Sequence, residues 1–281
     1  MTSCKTIRIP VLVLLAMLVG AGGGGAAAAA DGSGGSDASS PSPGPSATPA
    51  AGTLAKKKKP TTPPGPVAHL VLEQKWLCKE DFAKGLPATP QWNPALGAWS
   101  VVDGWLTGNE VAESHHSSVL FINETALPDA MVMRFDFRLG MAKSISVMGQ
   151  GVNGSQQRVT FLLDINPTGF CLATLSDGTV MPKEETVWLP RCAQHFDGAT
   201  ATTMTLEIAG DEALAWTDEQ HATYARHATF AKPRWGVSLR TNGVDLTASF
   251  KNVWLTGGVI DPGWDKLRPR FEELMKKAGN H

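Results

Sequence analysis

Residues 131–139 read MVMRFDFRL, and the alternation is strict. In an extended chain Met131, Met133, Phe135 and Phe137 fall on one side and Arg134, Asp136 and Arg138 on the other, because side chains alternate across a strand with a period of two. The pattern recurs. RVTFLLDI (158–165) puts Val159, Phe161, Leu163 and Ile165 on one face, and TMTLEIAGDE sets Met204, Leu206 and Ile208 against Thr205 and Glu207. Turn residues punctuate these runs. Asp103-Gly104 lies between WSVV and WLTG and suits a two-residue type I′ turn, in which both central residues need φ > 0. Asn166-Pro167-Thr168-Gly169 separates RVTFLLDI from GFCLATL as a second hairpin signal. From Val67 to Gly258 this gives roughly ten to twelve short strands in about 190 residues, more than one small barrel uses. The expected fold is all-β: a two-sheet jelly-roll sandwich with a short C-terminal helix.

That helix is read from residues 259–281. Trp264, Leu267, Phe271, Leu274 and Met275 recur at helical spacing, with Pro269 near the start and Gly279 as a stop signal. In front of the strands the 281-residue chain changes character twice. Residues 1–30 carry Lys5 and Arg8, then an apolar Val11–Val19 run, then small residues, which is the pattern of a secretory signal. The apolar run is about ten residues, against the roughly twenty that a membrane span needs. Residues 31–66 are Gly, Ser, Ala and Pro with the run Lys56–Lys59, a composition that cannot offset chain entropy and reads as a linker. The expected location is therefore exported: periplasmic, extracellular or cell-surface, with no membrane attachment after cleavage. A formal net charge of −1 offers no global basic field for nucleic acid. The oligomeric state is not legible.

Export permits disulfides. Cys4 would leave with the signal, so Cys78, Cys171 and Cys192 remain, and Cys171 with Cys192 is the nearer pair in sequence. No C-x-x-C, P-loop, G-x-S-x-G or dinucleotide fingerprint is present. No metal site is read and no cofactor is evident; with no D-x-D-x-D loop, calcium is the one cofactor left open, because scattered carbonyl sites leave no sequence trace. The polar strand positions Arg134, Asp136, Arg138, Arg158, Asp164, Glu207 and Arg240 would line a groove able to hydrogen-bond hydroxyls if one sheet gathered them. Trp92, Trp216 and Trp235 are candidates to stack on sugar rings, while Trp99, Trp105 and Trp254 read as core. His195, near Asp197, is the histidine best placed for acid–base work, with Asp136 and Glu207 as candidate catalytic carboxylates. His115 and His116, if extended, point to opposite faces and do not share a ligand.

The ordered set EDFAKG, WNPALGAWSVVDGWLTG, MVMRFDFRL, TMTLEIAGDEALAW, WGVSLRTNG and FKNVWLTGG resembles the concanavalin A-like lectin/glucanase superfamily. Within it the chain is similar to the exported 3-keto-disaccharide hydrolase-like group, once likened to glycoside hydrolase family 16. The likeness covers roughly residues 76–257. It implies a jelly roll and a carbohydrate partner, with a glycan-binding role first, a glycoside hydrolase or lyase acting on 3-keto-glycosides second, and a structural interaction module of the envelope third. AKSISVMGQG (142–151) stands where that group carries an Asn-Ser-Gly-Ile type segment, and no E-x-D-x-E motif is present. The group's catalytic residues are therefore not carried over.

Overall fold

A computed structural model describes residues 67–112, 116–153, 156–175 and 186–278. The chain divides into Met1–Thr61 and Thr62–His281, and every described residue lies in the second unit. The signal, the linker with Lys56–Lys59, His115, the side chain of Arg158 and Gly279 lie outside the described residues.

The strands in chain order are β1 (Val71–Glu80), β2 (Trp92–Leu96), β3 (Ala98–Val102), β4 (Trp105–Asn109), β5 (Ser118–Leu127), β6 (Ala130–Arg138), β7 (Ser144–Asn153) and β8 (Gln156–Asn166). There follow β9 (Gly169–Leu175), β10 (Thr186–Trp188), β11 (Cys192–Ala193), β12 (Thr202–Ala209), β13 (Glu212–Trp216), β14 (Ala222–Arg226), β15 (Arg234–Asn242) and β16 (Thr247–Ile260). The chain closes with helix α1 (Trp264–Ala278). The first sheet runs β14-β13-β12-β6-β16-β4-β3, with β1 also paired to β16. The second runs β10-β9-β8-β7-β15-β5-β2, with β11 paired to β9. All these strand pairs are antiparallel. This is the two-sheet sandwich with a C-terminal helix that the alternating runs require.

The core lies between the sheets. Met131, Met133, Phe135 and Phe137 of β6, with Met204, Leu206 and Ile208 of β12, meet Leu120 and Ile122 of β5, Phe161 and Leu163 of β8, and Leu239 of β15. Burying such side chains is the main favourable term in the fold, at about 25 cal/mol per Å² of apolar surface. One residue departs from the period-two reading. A register shift pairs Gly149 with Phe161 but Gln150 with Val159, leaving Thr160 as an extra residue. A bulge of this kind reverses the facing of the residues beyond it. Val159 therefore packs on the outer cluster of Met148, Leu162 and Ala173 rather than in the core.

The Asp103-Gly104 turn forms as its composition demands. Val102 pairs with Trp105, and the two turn residues have φ of 51° and 72°. Asn166 likewise pairs with Gly169 across Pro167-Thr168.

A second, smaller core sits on the outside of the first sheet. Trp264 and Phe271 of α1 pack with Leu70, Val132, Leu214, Trp216 and Tyr224. Leu267, on the flank of that apolar stripe, is exposed, and Pro269 is accommodated inside the helix. Two carboxylates fasten the segments that cover this face. Glu212 accepts hydrogen bonds from Trp264 Nε1 at 3.0 Å and Arg268 Nε at 2.7 Å, which fixes α1. Glu207 accepts from the main-chain N–H groups of Leu70 at 2.7 Å and Val71 at 3.0 Å, which fixes the entry to β1.

Candidate functional site

The polar strand residues do not share a face. Arg134, Asp136, Arg138 and Glu207 belong to the first sheet, whereas Asp164 and Arg240 belong to the second, and both sets point away from the common core. Strand alternation places a residue on one side of its own sheet but says nothing about which sheet the strand joins.

On the first sheet, Glu207 is not open to a ligand. It is fully buried beneath the residue 69–71 segment, and Trp216 Nε1 donates to its Oε1 at 2.8 Å. Burial pushes its carboxyl above the ordinary glutamate range, opposed by those N–H donors. The same contact accounts for Trp216, which serves the small outer core instead of presenting a face to solvent. Arg134 forms a two-pronged pair with Glu73 at 2.6 and 2.8 Å and is itself buried. Asp136 accepts from Thr203 Oγ1 and Asn252 Nδ2, both at 2.6 Å. Trp92 lies in the main core with its ring edge-on to Phe82, so it cannot stack on a sugar.

His195 is exposed on the loop after β11. Its expected partner, Asp197, is committed elsewhere: it accepts from Thr200 N at 2.7 Å, Thr200 Oγ1 at 2.7 Å and Ala199 N at 2.9 Å. Those Thr200 bonds hold the Asp197 carboxyl below the usual range.

The expected Cys171–Cys192 bridge is absent, and all three described cysteines are free. Cys192 points into the core, while Cys171 sits on the outer face of β9 opposite Asp164. Opposite facings keep the two sulfurs apart.

The outer face of the second sheet carries the more coherent arrangement. Arg240 of β15 pairs with Ser146 of β7, Ser146 with Asp164 of β8, and Asp164 with Cys171 of β9. Neighbouring strands lie about 4.8 Å apart, so these residues form one row straight across the sheet. Arg191, in the stretch between β10 and β11, closes one end. It donates to Asp164 Oδ2 at 3.2 Å, to Gly169 O at 3.0 Å and to Cys171 Sγ at 3.3 Å. Burial raises the Asp164 carboxyl above its ordinary value, and the Arg191 contact works against that rise. Asn242 extends the polar strip, donating to Ser144 Oγ at 2.9 Å and Ser146 Oγ at 3.3 Å. One pleat along, Ser238, Met148, Leu162 and Ala173 form a parallel row that is mostly apolar. Gln150 donates to Ser238 Oγ at 2.8 Å, and Trp235 lies against Phe121 with ring centroids 5.7 Å apart.

Arg240 is the anomaly of this face. Its Nε is buried without a hydrogen-bond partner, and among the described residues the guanidinium has no ion pair. Burial lowers its pKa, the direction expected of a cation removed from water with nothing to balance it. A buried donor left unpaired costs about 1–3 kcal/mol.

Sequence reasoning found Asp164, Arg240 and Trp235 but missed Ser146, Arg191 and Trp188. Trp188 is 46% exposed on β10, and a tryptophan in a run of three strand residues gave no facing signal. Arg191 lies outside any strand, so no periodicity could have pointed to it.

Among the described residues no group of three or more His, Cys, Asp or Glu is placed to hold a metal ion. Nor is any helix there long and apolar enough to cross a membrane.

No family model and no curated protein matches the chain. Solved structures do. The chain is similar to the carbohydrate binding module CBM66 from Bacillus subtilis, with 13% identity over 60% of this chain and 98% of that one, at a TM-score of 0.44. It is similar to the exoplasmic/lumenal domain of VIP36 in its Ca2+/Man3GlcNAc-bound form, with 9% identity over 63% and 91%, at 0.44. A third is SCLam, a non-specific endo-beta-1,3(4)-glucanase from family GH16, with 14% identity over 68% and 96%, at 0.48. No residue role transfers at these identities.

Proposed function

We propose that this protein is an exported glycan-binding domain, and that the row Arg240–Ser146–Asp164 on the outer face of the second sheet is its binding surface. The observation that carries the reading is the unpartnered Arg240 guanidinium one strand from Ser146 and two strands from Asp164. A sugar ring presents hydroxyls at its rim and C–H groups on its faces. The polar row suits the first and the Met148, Leu162 and Ala173 row suits the second. Asp164, held by Arg191, would accept from hydroxyls, and Arg240 would donate to them.

Binding is favoured over hydrolysis by the distribution of carboxylates. Two-carboxylate glycoside hydrolysis needs acids about 5–10 Å apart. Asp136 and Asp164 leave opposite faces of a sandwich whose sheets alone are about 10 Å apart, and Glu207 is covered. The residue 1–30 signal and the residue 31–66 linker would carry the domain out of the cytoplasm and tether it, consistent with a polymer ligand.

The test is affinity electrophoresis through gels containing neutral and acidic polysaccharides, with and without EDTA. Retardation by at least one glycan, weakened in Arg240→Gln and Asp164→Asn without loss of fold, is the expected result. A glycan panel that leaves migration unchanged, or turnover of a 3-keto-glycoside abolished by Asp164→Asn, would replace this reading.

A further inference from the structure

Helix α1 and the residue 68–71 segment cover only part of the outer face of the first sheet. The remainder carries three half-buried tryptophans that belong to neither core: Trp105 of β4, Trp254 of β16 and Trp76 of β1. Trp105 and Trp254 were read from sequence as core residues, and the structure turns both outward.

Each of these rings is topped by a cation. The Arg138 guanidinium lies 4.2 Å from the centroid of Trp105, and Lys251 Nζ lies 5.7 Å from the same ring. Lys79 Nζ sits 5.3 Å from Trp76 and 5.7 Å from Trp254, whose rings stand at 89° to one another. Among the described residues, none of Lys79, Arg138 and Lys251 has a hydrogen-bond or ion-pair partner.

The carboxylates between them are already engaged. Glu73 is held by Arg134 and by Thr256 Oγ1 at 2.6 Å. Asp136 is held by Thr203 and by Asn252, which a register shift and a φ of 49° turn toward it. Asp103, exposed at the tip of the β3–β4 turn, has no such partners among the described residues.

We propose that this strip is a second binding surface, separate from the Arg240–Ser146–Asp164 row, and that its ligand is an acidic polysaccharide. The indoles hold three long cationic side chains in place. That reduces the rotamer entropy they lose when an anion arrives, while their charges stay available. The cations form two stations. Arg138 and Lys251 lie at one, around Trp105, and Lys79 lies at the other, between Trp76 and Trp254. A chain with repeated carboxylate or sulfate groups engages both stations at once, whereas a single small anion engages one. The indole edges offer apolar contact for sugar rings between the charges.

The test compares polygalacturonate, dextran sulfate and neutral dextran of matched length by affinity electrophoresis across a salt series. The proposal expects retention on one or both acidic polymers, falling steeply with salt, and none on dextran beyond what the second sheet confers. The triple variant Lys79→Gln, Arg138→Gln, Lys251→Gln should lose about tenfold or more in affinity for the acidic polymer at low salt, as removal of three solvent-accessible charge contacts implies. Asp164→Asn should keep that affinity, which separates this surface from the row on the other sheet. Asp103→Asn removes an exposed negative charge beside Lys251, keeps a residue tolerant of φ > 0, and should bind more tightly. It also keeps the test decisive if the triple variant folds poorly. Retention of the acidic polymers unchanged in the folded triple variant, or Asp103→Asn without effect, would overturn the proposal. So would a single-stranded oligonucleotide that binds as tightly and displaces polygalacturonate.

Discussion

The main-chain N–H of Leu70 donates to Glu207 Oε2 at 2.7 Å across 137 residues of sequence. Val71 N and Trp216 Nε1 converge on the same carboxylate, so every described hydrogen-bonding neighbour is a donor. Glu207→Ala leaves these donors buried and unpaired. It should cost on the order of 3 kcal/mol, a fall of about 6–12 °C in Tm for a domain of this size. Glu207→Gln should not rescue it, because an amide nitrogen would face N–H groups. Equal melting temperatures for wild type and Glu207→Gln would show that the carboxylate does not fasten this segment.

The same segment sets a pH dependence. The His69 ring lies 4.7 Å from Trp216 and 5.5 Å from Phe271, and burial, with Arg270 nearby, holds its pKa below the ordinary 6.5. A folded pKa below the unfolded one means that the unfolded chain takes up the proton first as pH falls. His69 therefore favours the folded state above about pH 6.5 and loses that advantage as pH drops toward its folded value. Glu207, with its pKa raised, acts in the opposite direction at lower pH, so the comparison must be between His69→Leu and wild type. Melting curves from pH 8 to pH 5 should fall less steeply in His69→Leu. Parallel curves would remove His69 from the account.

Gly104 has φ of 72°, and a side chain placed there would meet only the end of Lys251 at 3.6 Å. Backbone strain, not collision, decides the outcome. Gly104→Val should cost about 1–3 kcal/mol, while Gly104→Asn should cost much less because Asn tolerates the left-handed region. Thermal melts of the two variants check this, and equal stability would mean the turn does not need a positive φ.

How much of this was legible in sequence depends on which physical rule each feature obeys. The alternation of Met131, Met133, Phe135 and Phe137, and the Asp103-Gly104 turn, are local, and both appear as read. Sheet membership is not local. Asp136 and Asp164 looked alike on their strands, yet β6 joins one sheet and β8 the other. Facing could also be spoiled by one residue, as the bulge at Thr160 did for Val159. Burial on an outer face was invisible too, because Glu207 and Trp216 are covered by a helix and an N-terminal segment distant in sequence. Arg191 reaches Asp164 from a stretch without regular structure, where no periodicity applies.

The cysteines give a covalent check. Cys192 faces the core and Cys171 the outer side of β9, and burial pushes both thiols up to about 11 and Cys78 to about 12. Alkylation of denatured, unreduced protein followed by mass spectrometry should modify Cys78, Cys171 and Cys192. In the native protein at pH 8 the three should react slowly, since the thiolate is the reactive form. A Cys171–Cys192 crosslinked peptide would contradict the opposed facings.

The central claim is that the Arg240–Ser146–Asp164 row receives a sugar. Backbone amide shifts recorded during titration with a glycan retained in the electrophoresis panel test it most directly. The account predicts that the largest changes fall on Ser146, Met148, Leu162, Asp164 and Arg240, and that Arg240→Gln abolishes them. Saturable binding whose shifts leave all five residues unmoved would contradict it.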